Sequence, residues 1–257
     1  MQILKKTYSS DTLMNENWLK SAGLDHFWMM WRFKFLLKQL SKIKIKLKKN
    51  YKIMDLGCGN GVLSNQLERH NLLKIDRVDS NYETLKLNKN VKGKLICYNI
   101  SKKDNKMKRK YDIIFLFDVL EHVKNDNKFI NDINFHLKKN GYLIVNVPSI
   151  NLLFSKYDYA VGHLRRYNKQ NLSKNFDNKL FKICSLEYWG FCLVPILFIR
   201  KLISMFYSKK KTSNIVKLGW KTNTLINNLF KIVMNIETLL LNYVPIGSSL
   251  MLIVKKK

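Results

Sequence analysis

The chain has 257 residues, a mass of 30.5 kDa and a formal net charge of +29, so it can bury a full core, and residues 1–257 are expected to form a single domain with elaborations. Its four cysteines include no Cys-x-x-Cys pair and have no histidine partner at zinc spacing, which argues against a zinc site and indicates a reducing compartment. The N-terminus has no apolar signal region, and the protein is therefore expected to be cytoplasmic.

The first predicted element is an aromatic-rich helix between Trp18 and Leu40. Trp28, Trp31 and Phe35 are three and four residues apart, which places them on one face of that helix. An apolar face at this spacing normally packs inward, and this one is expected to cover the edge of a sheet.

The stretch Ile53–Gly61 predicts a strand followed by a ligand-binding turn. Gly57, Gly59 and Gly61 occupy alternate positions, where the absence of Cβ atoms lets the backbone turn tightly and approach a ligand. A helix is predicted from Val62, and its free N–H groups point at whatever lies over the loop.

A second strand, Leu73 to Val78, ends in Asp79, whose carboxylate is placed to bind the hydroxyls of a ribose. The alternative is that Asp79 caps a helix beginning near Asn81. The Gly-x-Gly-x-Gly spacing differs from that of a dinucleotide loop, and Asp55 beside it would repel a phosphate but hold an ammonium group. The ligand is therefore expected not to be a nucleoside phosphate.

Further strands and helices alternate up to about residue 150, which is the pattern of a parallel sheet covered on both faces. A helix with an apolar face around Ile130 and Ile133 is expected to end at Asn140-Gly141. The predicted third strand is 94–100, and the fourth strand together with the turn after it is 111–123. The fifth, sixth and last strands are predicted at 142–147, 181–188 and 248–254.

These motifs together resemble the class I S-adenosylmethionine-dependent methyltransferases. Asp55 to Gly61 is similar to their first motif, Asp79 to their ribose-binding acidic residue, and the Leu120-Glu121-His122 turn to that of the ubiquinone-pathway O-methyltransferases. The resemblance implies a Rossmann-like α/β fold, with a parallel sheet, an antiparallel last strand and helices on both faces. It also implies a core formed by 50–190 and 245–257, an N-terminal helical lid (1–49) and an inserted helical pair (191–244).

S-adenosylmethionine is the cofactor that the resemblance implies. An N-terminal helix often covers the cofactor pocket in this family, which would bring His26 or Arg32 near the substrate. The cofactor-binding residues implied are Asp55, Gly57, Cys58, Gly59, Gly61, Asp79, Ser80, Asn99, Ile100 and Asp118.

The segment Gly162–Asn168 follows the fifth strand, where loops set substrate specificity in open α/β sheets. Arg165, Arg166 and Tyr167 suit an anionic or hydroxylated substrate and are predicted to bind it. The alternative is a structural network in which the arginines bind carboxylates or carbonyls and close a lid.

Two histidines are candidates for the base that removes a proton from a hydroxyl acceptor, because an unperturbed imidazole titrates near neutrality. His122 follows the fourth strand and His163 lies on the substrate loop, and the sequence does not choose between them. In the ubiquinone-pathway enzymes an acidic-x-x-Glu-His turn can hold a divalent cation, which here would involve Asp118, Glu121 and His122, or the turn caps the next helix. No metal is predicted.

The insertion contains two apolar helices, Phe191 to Phe206 and Thr224 to Tyr243. They are expected to form a hydrophobic cover or a homodimer surface. The alternative is a peripheral membrane contact through 191–211 that reaches a lipid-linked acceptor.

The function expected is O-methylation of a small molecule, a lipid-linked glycan or a quinol precursor. An RNA methyltransferase is the alternative that the basic charge suggests. Because the lysines are spread over the chain with many asparagines and isoleucines, as in AT-rich genomes, nucleic acid is not the partner expected. A non-catalytic partner-binding protein that keeps the fold is the third possibility.

Overall fold

An eight-stranded sheet runs through the computed structural model, which describes residues 3–5, 23–71, 73–206 and 223–257. Its strands lie in the order β1-β4-β3-β2-β5-β6-β8-β7, and every neighbouring pair is parallel except the two that β8 makes with β6 and β7. The predicted parallel sheet with an antiparallel last strand is confirmed. The strands are β1 (Ile3–Lys5), β2 (Ile53–Leu56), β3 (Ile75–Asp79), β4 (Leu95–Cys97), β5 (Tyr111–Phe117), β6 (Leu137–Pro148), β7 (Phe181–Trp189) and β8 (Ser249–Lys256).

Helices cover both faces of this sheet. Successive side chains of a strand point to opposite sides, so each central strand contributes to a buried cluster on either face. Ile113 and Phe115 of β5 belong to one buried cluster, whereas Ile114 and Leu116 belong to the other. The α-helices are α1 (Phe27–Lys42), α2 (Val62–Asn71), α3 (Tyr82–Lys86), α4 (Asp126–His136), α5 (Lys156–Val161), α6 (Lys169–Ser173), α7 (Val194–Met205) and α8 (Thr224–Leu240).

The aromatic face of α1 packs against Trp189 at the end of β7. The ring centroids of Trp28, Trp31 and Phe35 lie 5.5, 6.0 and 5.9 Å from that of Trp189, and Trp31 is fully buried. This confirms that the face covers the sheet. The part of the predicted helix that begins at Trp18 lies outside the described residues.

Several boundaries differ from the sequence predictions; the strand predicted at 94–100, for example, is limited to Leu95–Cys97. Residues Ile3–Lys5, assigned to the helical lid, form an edge strand that pairs in parallel with β4. Helix α4 ends at His136 rather than at Asn140-Gly141, because Leu137 pairs with Tyr111 and begins β6. The pairing of Leu137 with a strand that lies far from it in sequence therefore outweighs the local signal for a helix end, which is a glycine after a lysine-rich turn.

Helices α7 and α8 form the predicted pair before the last strand. On the inner side of α8, Phe230 stacks on Phe27 of α1, with ring centroids 4.7 Å apart. The Glu237 carboxylate accepts hydrogen bonds from the backbone N–H groups of Gly190, Phe191 and Cys192, at 2.9 to 3.1 Å. Within the described residues, no helix combines the length and apolar character needed to cross a membrane.

Candidate active site at the carboxyl ends of the central strands

The glycine loop after β2 has backbone conformations that favour glycine at all three positions. Gly57, Gly59 and Gly61 have φ angles of 71°, 55° and 77°, in the left-handed region that L side chains rarely adopt. A Cβ on Gly57 would lie 2.4 Å from the Val119 side chain, so the loop packs directly against the turn after β5. The loop thus fits its narrow space only with glycine at this point.

Asp79 ends β3 beside this loop, as predicted. Its carboxylate accepts hydrogen bonds from the backbone N–H of Gly59 at 3.2 Å and of Asn81 at 2.9 Å. Asn81, and not Asp79, caps α3, since its side chain accepts from Glu83 and Thr84. Burial raises the pKa of Asp79, although these N–H groups oppose the increase.

A cavity opens between the glycine loop and α1, and charged side chains of both signs line it. Arg32 of α1, Asp55 of β2 and Phe117 of β5 line it together with the loop. Asp55 is buried and accepts a hydrogen bond from Ser64 Oγ at 2.7 Å. Helix α1 therefore covers this cavity and brings Arg32, but not His26, to it; the His26 ring caps α1 by accepting from the Trp28 N–H.

Asp118, predicted to bind the cofactor, is held by partners within the protein. Its carboxylate is ion-paired with Arg32 and accepts a hydrogen bond from Asn146 Nδ2 at 2.7 Å. Asn146 in turn accepts from the Trp189 indole at 2.9 Å. Asp118 has a left-handed φ of 57°, an unfavourable conformation for a non-glycine residue that these contacts maintain.

The remaining predicted cofactor residues lie around the same strand ends. Cys58 follows Gly57 in the loop and lines the cavity. Ser80 follows Asp79, and its carbonyl oxygen lies 3.6 Å from Cys97 Sγ of β4. Asn99, two residues beyond β4, accepts a hydrogen bond from Ser101 N–H, and Ile100 is buried.

A second cluster follows β5, where a buried carboxylate lies between two imidazoles. Glu121 is 0% exposed, and among the described residues neither of its carboxylate oxygens has a hydrogen-bond partner. His163 Nε2 lies 3.8 Å from Glu121 Oε1, and the rings of His122 and His163 are 4.9 Å apart. One possible ligand atom from each of these three residues lies within 4.8 Å of the others.

This trio differs from the cation site considered from the sequence. His163 takes the place of Asp118, which is engaged by Arg32 and Asn146. The alternative that the Glu-His turn caps the next helix is not what the structure shows, because Asn125 caps α4. The predicted site residues 122 and 163 do come together.

Asp158 of α5 orients His163. Its Oδ1 atom lies 2.9 Å from His163 Nδ1 and accepts a hydrogen bond from Arg166 Nε at 2.8 Å. The Asp158 carboxylate also accepts from the Ser155 backbone N–H at 2.9 Å and closes a capping box at the start of α5. These contacts direct His163 Nε2 away from Asp158 and towards Glu121.

The pKa values of this cluster separate its members. Burial raises the pKa of Asp158, but the hydrogen bond from His163 and the charge of Arg166 outweigh burial and lower it to about 2. Burial, and then the neighbouring His163, lower the pKa of His122 to about 4. Burial, and then the Asp118 carboxylate, raise the pKa of Glu121 well above its ordinary value. At neutral pH, Asp158 is therefore an anion and His122 a neutral ring.

The three predicted substrate-binding residues all have partners within the protein. Arg165 forms an ion pair with Asp126 at 3.1 Å, and the buried Arg166 pairs with Asp158. Tyr167 is buried, and its hydroxyl donates to Asp126 at 3.1 Å. This is the structural network considered as the alternative for this segment.

Asp158 and Asn146 are not among the residues predicted for the site from the sequence, and Arg32 was expected there only as a neighbour of the substrate. Asp158 precedes His163 by five residues across a helix end, a spacing without a recognised motif. A signal was nevertheless present, because Ser155 and Asp158 have the spacing of a capping box.

A family described as "Methyltransferase domain" matches residues 28–190 of this chain. A relative from Rickettsia canadensis, named "Ubiquinone biosynthesis O-methyltransferase", is 27% identical over 183 residues, which are 66% of this chain and 76% of the relative. A protein of the same name from Pelagibacter ubique is 32% identical over 116 residues, 44% of this chain and 48% of that protein. In the second case the chain thus matches about half of the relative's length.

Solved structures share the fold at low sequence identity. A SAM-dependent methyltransferase from Archaeoglobus fulgidus has a TM-score of 0.51 and 16% identity, and the match covers 90% of this chain and 99% of that one. The plantazolicin methyltransferase BamL, solved in complex with a triazolic desmethylPZN analog and SAH, has a TM-score of 0.53 and 14% identity, and the match covers 94% of this chain and 87% of that one.

Proposed function

The chain belongs to the methyltransferase-domain family, and we propose that it transfers a methyl group from S-adenosylmethionine to a hydroxyl oxygen of a small molecule. The Asp158–His163 pair is the observation that supports an oxygen acceptor over a nitrogen acceptor. A hydroxyl needs a base to remove its proton, whereas an amine can react through its free lone pair. The name of the relatives, ubiquinone biosynthesis O-methyltransferase, supports a phenolic acceptor.

S-adenosylmethionine is the cofactor, and the residues around the cavity fit its parts. Asp79 has carboxylate lone pairs for the two ribose hydroxyls, and Asp55 complements the ammonium group of the methionine part. Arg32, whose Nε atom has no hydrogen-bond partner within the described ranges, complements the carboxylate of the same part. We assign the adenine to the neighbourhood of Asn99 and Ile100. The bound cofactor supplies an electrophilic methyl group.

His163 is the base in this proposal. With Nδ1–H donated to Asp158, the lone pair of the neutral ring lies on Nε2, which is the atom available to take the acceptor proton. The anionic Asp158 also stabilises the imidazolium that forms. His122 is less suited to hold a proton, because burial lowers its pKa to about 4.

The substrate loop acts by position. Arg166 and Tyr167 anchor it from the buried side, whereas Arg165 and the ring of His163 are only partly buried. We assign acceptor contact to Arg165 and His163, and a positioning role to Arg166 and Tyr167.

A divalent cation bound by Glu121, His122 and His163 is the second arrangement that a specific observation favours. The two Glu121 oxygens are buried and have no hydrogen-bond partner in the part of the chain that the structure describes, and carboxylate and imidazole groups are ordinary ligands of such ions. A cation would activate the acceptor hydroxyl as a Lewis acid, and Asp158 would orient His163 as a ligand in the same way.

The test is an acceptor screen that follows release of S-adenosylhomocysteine, with phenolic quinol precursors, sugars, lipid-linked glycans and RNA as acceptors. Turnover of a hydroxyl acceptor is expected, with kcat reduced about 10²- to 10⁴-fold in His163→Gln and much less in the matched variant His122→Gln. Methylation of RNA alone would contradict the proposal. Loss of turnover on chelation, restored by a divalent metal, would favour the cation arrangement over the metal-free base.

A further inference from the structure

Helices α7 and α8 carry most of the exposed apolar surface of the described chain. Eighteen of the twenty-four large apolar side chains that are exposed among the described residues lie within residues 191–246. Isolated exposed apolar residues are ordinary, but a concentration of this size marks a surface that contacts something other than water.

The outward face of α8 is apolar along its whole length. Leu225, Leu229, Ile232, Ile236 and Leu239 follow one another at spacings of four and three residues, and each is more than half exposed. A surface helix of a globular protein usually carries charged and polar residues on the side that faces water. The polarity of α8 is therefore the reverse of the usual pattern.

The inward face of α8 already has its partners. Met234 is fully buried, and Phe230 stacks on Phe27. The Glu237 carboxylate accepts hydrogen bonds from the three backbone N–H groups at the start of the insertion. Since this side holds the helix to the protein, the exposed stripe is not an unfilled core position. It faces outward in the folded chain.

Helix α7 repeats the arrangement. Ile199, Leu202 and Met205 are exposed, whereas Arg200 turns inward and stacks on the ring of Tyr157 at 3.9 Å. The one arginine of this helix thus lies beneath the apolar surface. Each helix uses one side to hold the protein and leaves the other side apolar and uncovered.

The charge of this insertion is basic. Residues 191–246 contain eight lysines and arginines and one acidic residue, Glu237, which is buried and bonded to backbone N–H groups. Residues 207–222, between the two helices in sequence, contribute five of the lysines and no acid. By composition, the apolar helices therefore belong to a strongly basic segment of the sequence.

We propose that the exposed apolar faces of α7 and α8 dock onto an anionic lipid bilayer. Apolar helix faces enter the boundary between headgroups and acyl chains, and nearby lysines are attracted to anionic headgroups. A second copy of the chain is the less favourable occupant, because two molecules that each carry a net charge of +29 repel one another.

The docking surface lies next to the proposed acceptor site. Helix α5, which carries Asp158, also carries Tyr157, against which Arg200 of α7 stacks. Lys156, at the start of α5, donates to the Met205 carbonyl oxygen at 2.9 Å. A bilayer in contact with α7 would therefore be adjacent to the segment that orients His163, although docking itself does not depend on the proposed reaction.

Vesicle co-sedimentation of the full chain tests the proposal, with phosphatidylcholine vesicles that contain about one third phosphatidylglycerol and with pure phosphatidylcholine vesicles. The test variant is Leu225→Ser/Leu229→Ser/Leu239→Ser on the stripe. The matched control changes three exposed leucines elsewhere, Leu4→Ser/Leu87→Ser/Leu180→Ser. Because all six side chains are exposed, both variants are expected to fold, and circular dichroism checks this.

The wild type and the control are expected to sediment with the anionic vesicles and much less with the neutral ones. The stripe variant is expected to have a partition constant lower by about tenfold or more. Equal sedimentation of the stripe variant and the wild type would overturn the proposal, as would failure of the wild type to bind. A concentration-dependent dimer that only the stripe variant abolishes, without vesicle binding, would instead assign the surface to a second copy of the chain.

Discussion

The role of Asp158 leads to a prediction with two separate readouts. Replacing it in Asp158→Asn removes the negative charge that His163 and Arg166 share, while the size of the side chain is kept. An asparagine cannot satisfy Ser155, His163 and Arg166 together, since all three donate to this carboxylate and an amide has only one acceptor oxygen.

The loss of stability can be estimated in two ways. The pKa of Asp158 falls from 3.8 to about 2, which corresponds to about 2 kcal/mol of stabilisation at neutral pH. Breaking a buried ion pair and leaving Arg166 uncompensated costs about 3 to 5 kcal/mol. Asp158→Asn is therefore expected to lower the free energy of unfolding by about 2 to 5 kcal/mol, measured in urea at neutral pH.

The second readout is the tautomer of His163. Long-range nitrogen NMR correlations are expected to show the proton on Nδ1 in the wild type and a larger Nε2-protonated fraction in Asp158→Asn. The matched control Asp126→Asn removes the partner of Arg165 and Tyr167 but leaves Asp158 in place, and it should keep the wild-type tautomer. An unchanged tautomer in Asp158→Asn would refute the orienting role, whatever happened to stability.

Three further predictions rest on other parts of the structure. Gly57→Ala should lower stability by about 1 to 3 kcal/mol, because it combines a φ of 71° with a Cβ close to Val119; an unchanged urea midpoint would contradict this. The neutral His122 contributes stability that is present above pH 6.5 and lost as the pH falls towards 4, so His122→Asn should lose less stability over that range; equal losses would argue against the low pKa. Glu237→Ala should lower the unfolding free energy by about 2 to 4 kcal/mol, because it leaves three backbone N–H groups without their acceptor. A variant that unfolds at the same temperature as the wild type would contradict this.

The central fold could be predicted because its signals are local. The glycine spacing at residues 57–61 and the acidic residue at the end of β3 depend on the conformation of a few neighbouring residues. The strand Ile3–Lys5 could not be predicted in this way. It has three residues without a clear alternation of buried and exposed side chains, and it exists because it pairs with β4 about ninety residues away.

Only part of the candidate site could be predicted, because single residues are visible in the sequence whereas the contacts between distant residues are not. His122 and His163 were each noticeable in the sequence, but their approach to 4.9 Å depends on the packing of the turn after β5 against the loop after α5. The ion pair of Arg32 with Asp118 joins α1 to the end of β5, and no spacing in the sequence reports it. Partners of buried charges are set by tertiary structure, which explains why Arg166 seemed available for substrate.

Calorimetric titration with S-adenosylmethionine and S-adenosylhomocysteine tests the account most directly. The wild type is expected to bind both, Asp79→Ala to bind at least about a hundredfold more weakly, and Asp76→Ala, on the same strand but in contact with Tyr111, to bind like the wild type. Absence of binding in the wild type, or undiminished binding in Asp79→Ala, would contradict the assignment of the glycine loop and Asp79 as the cofactor site.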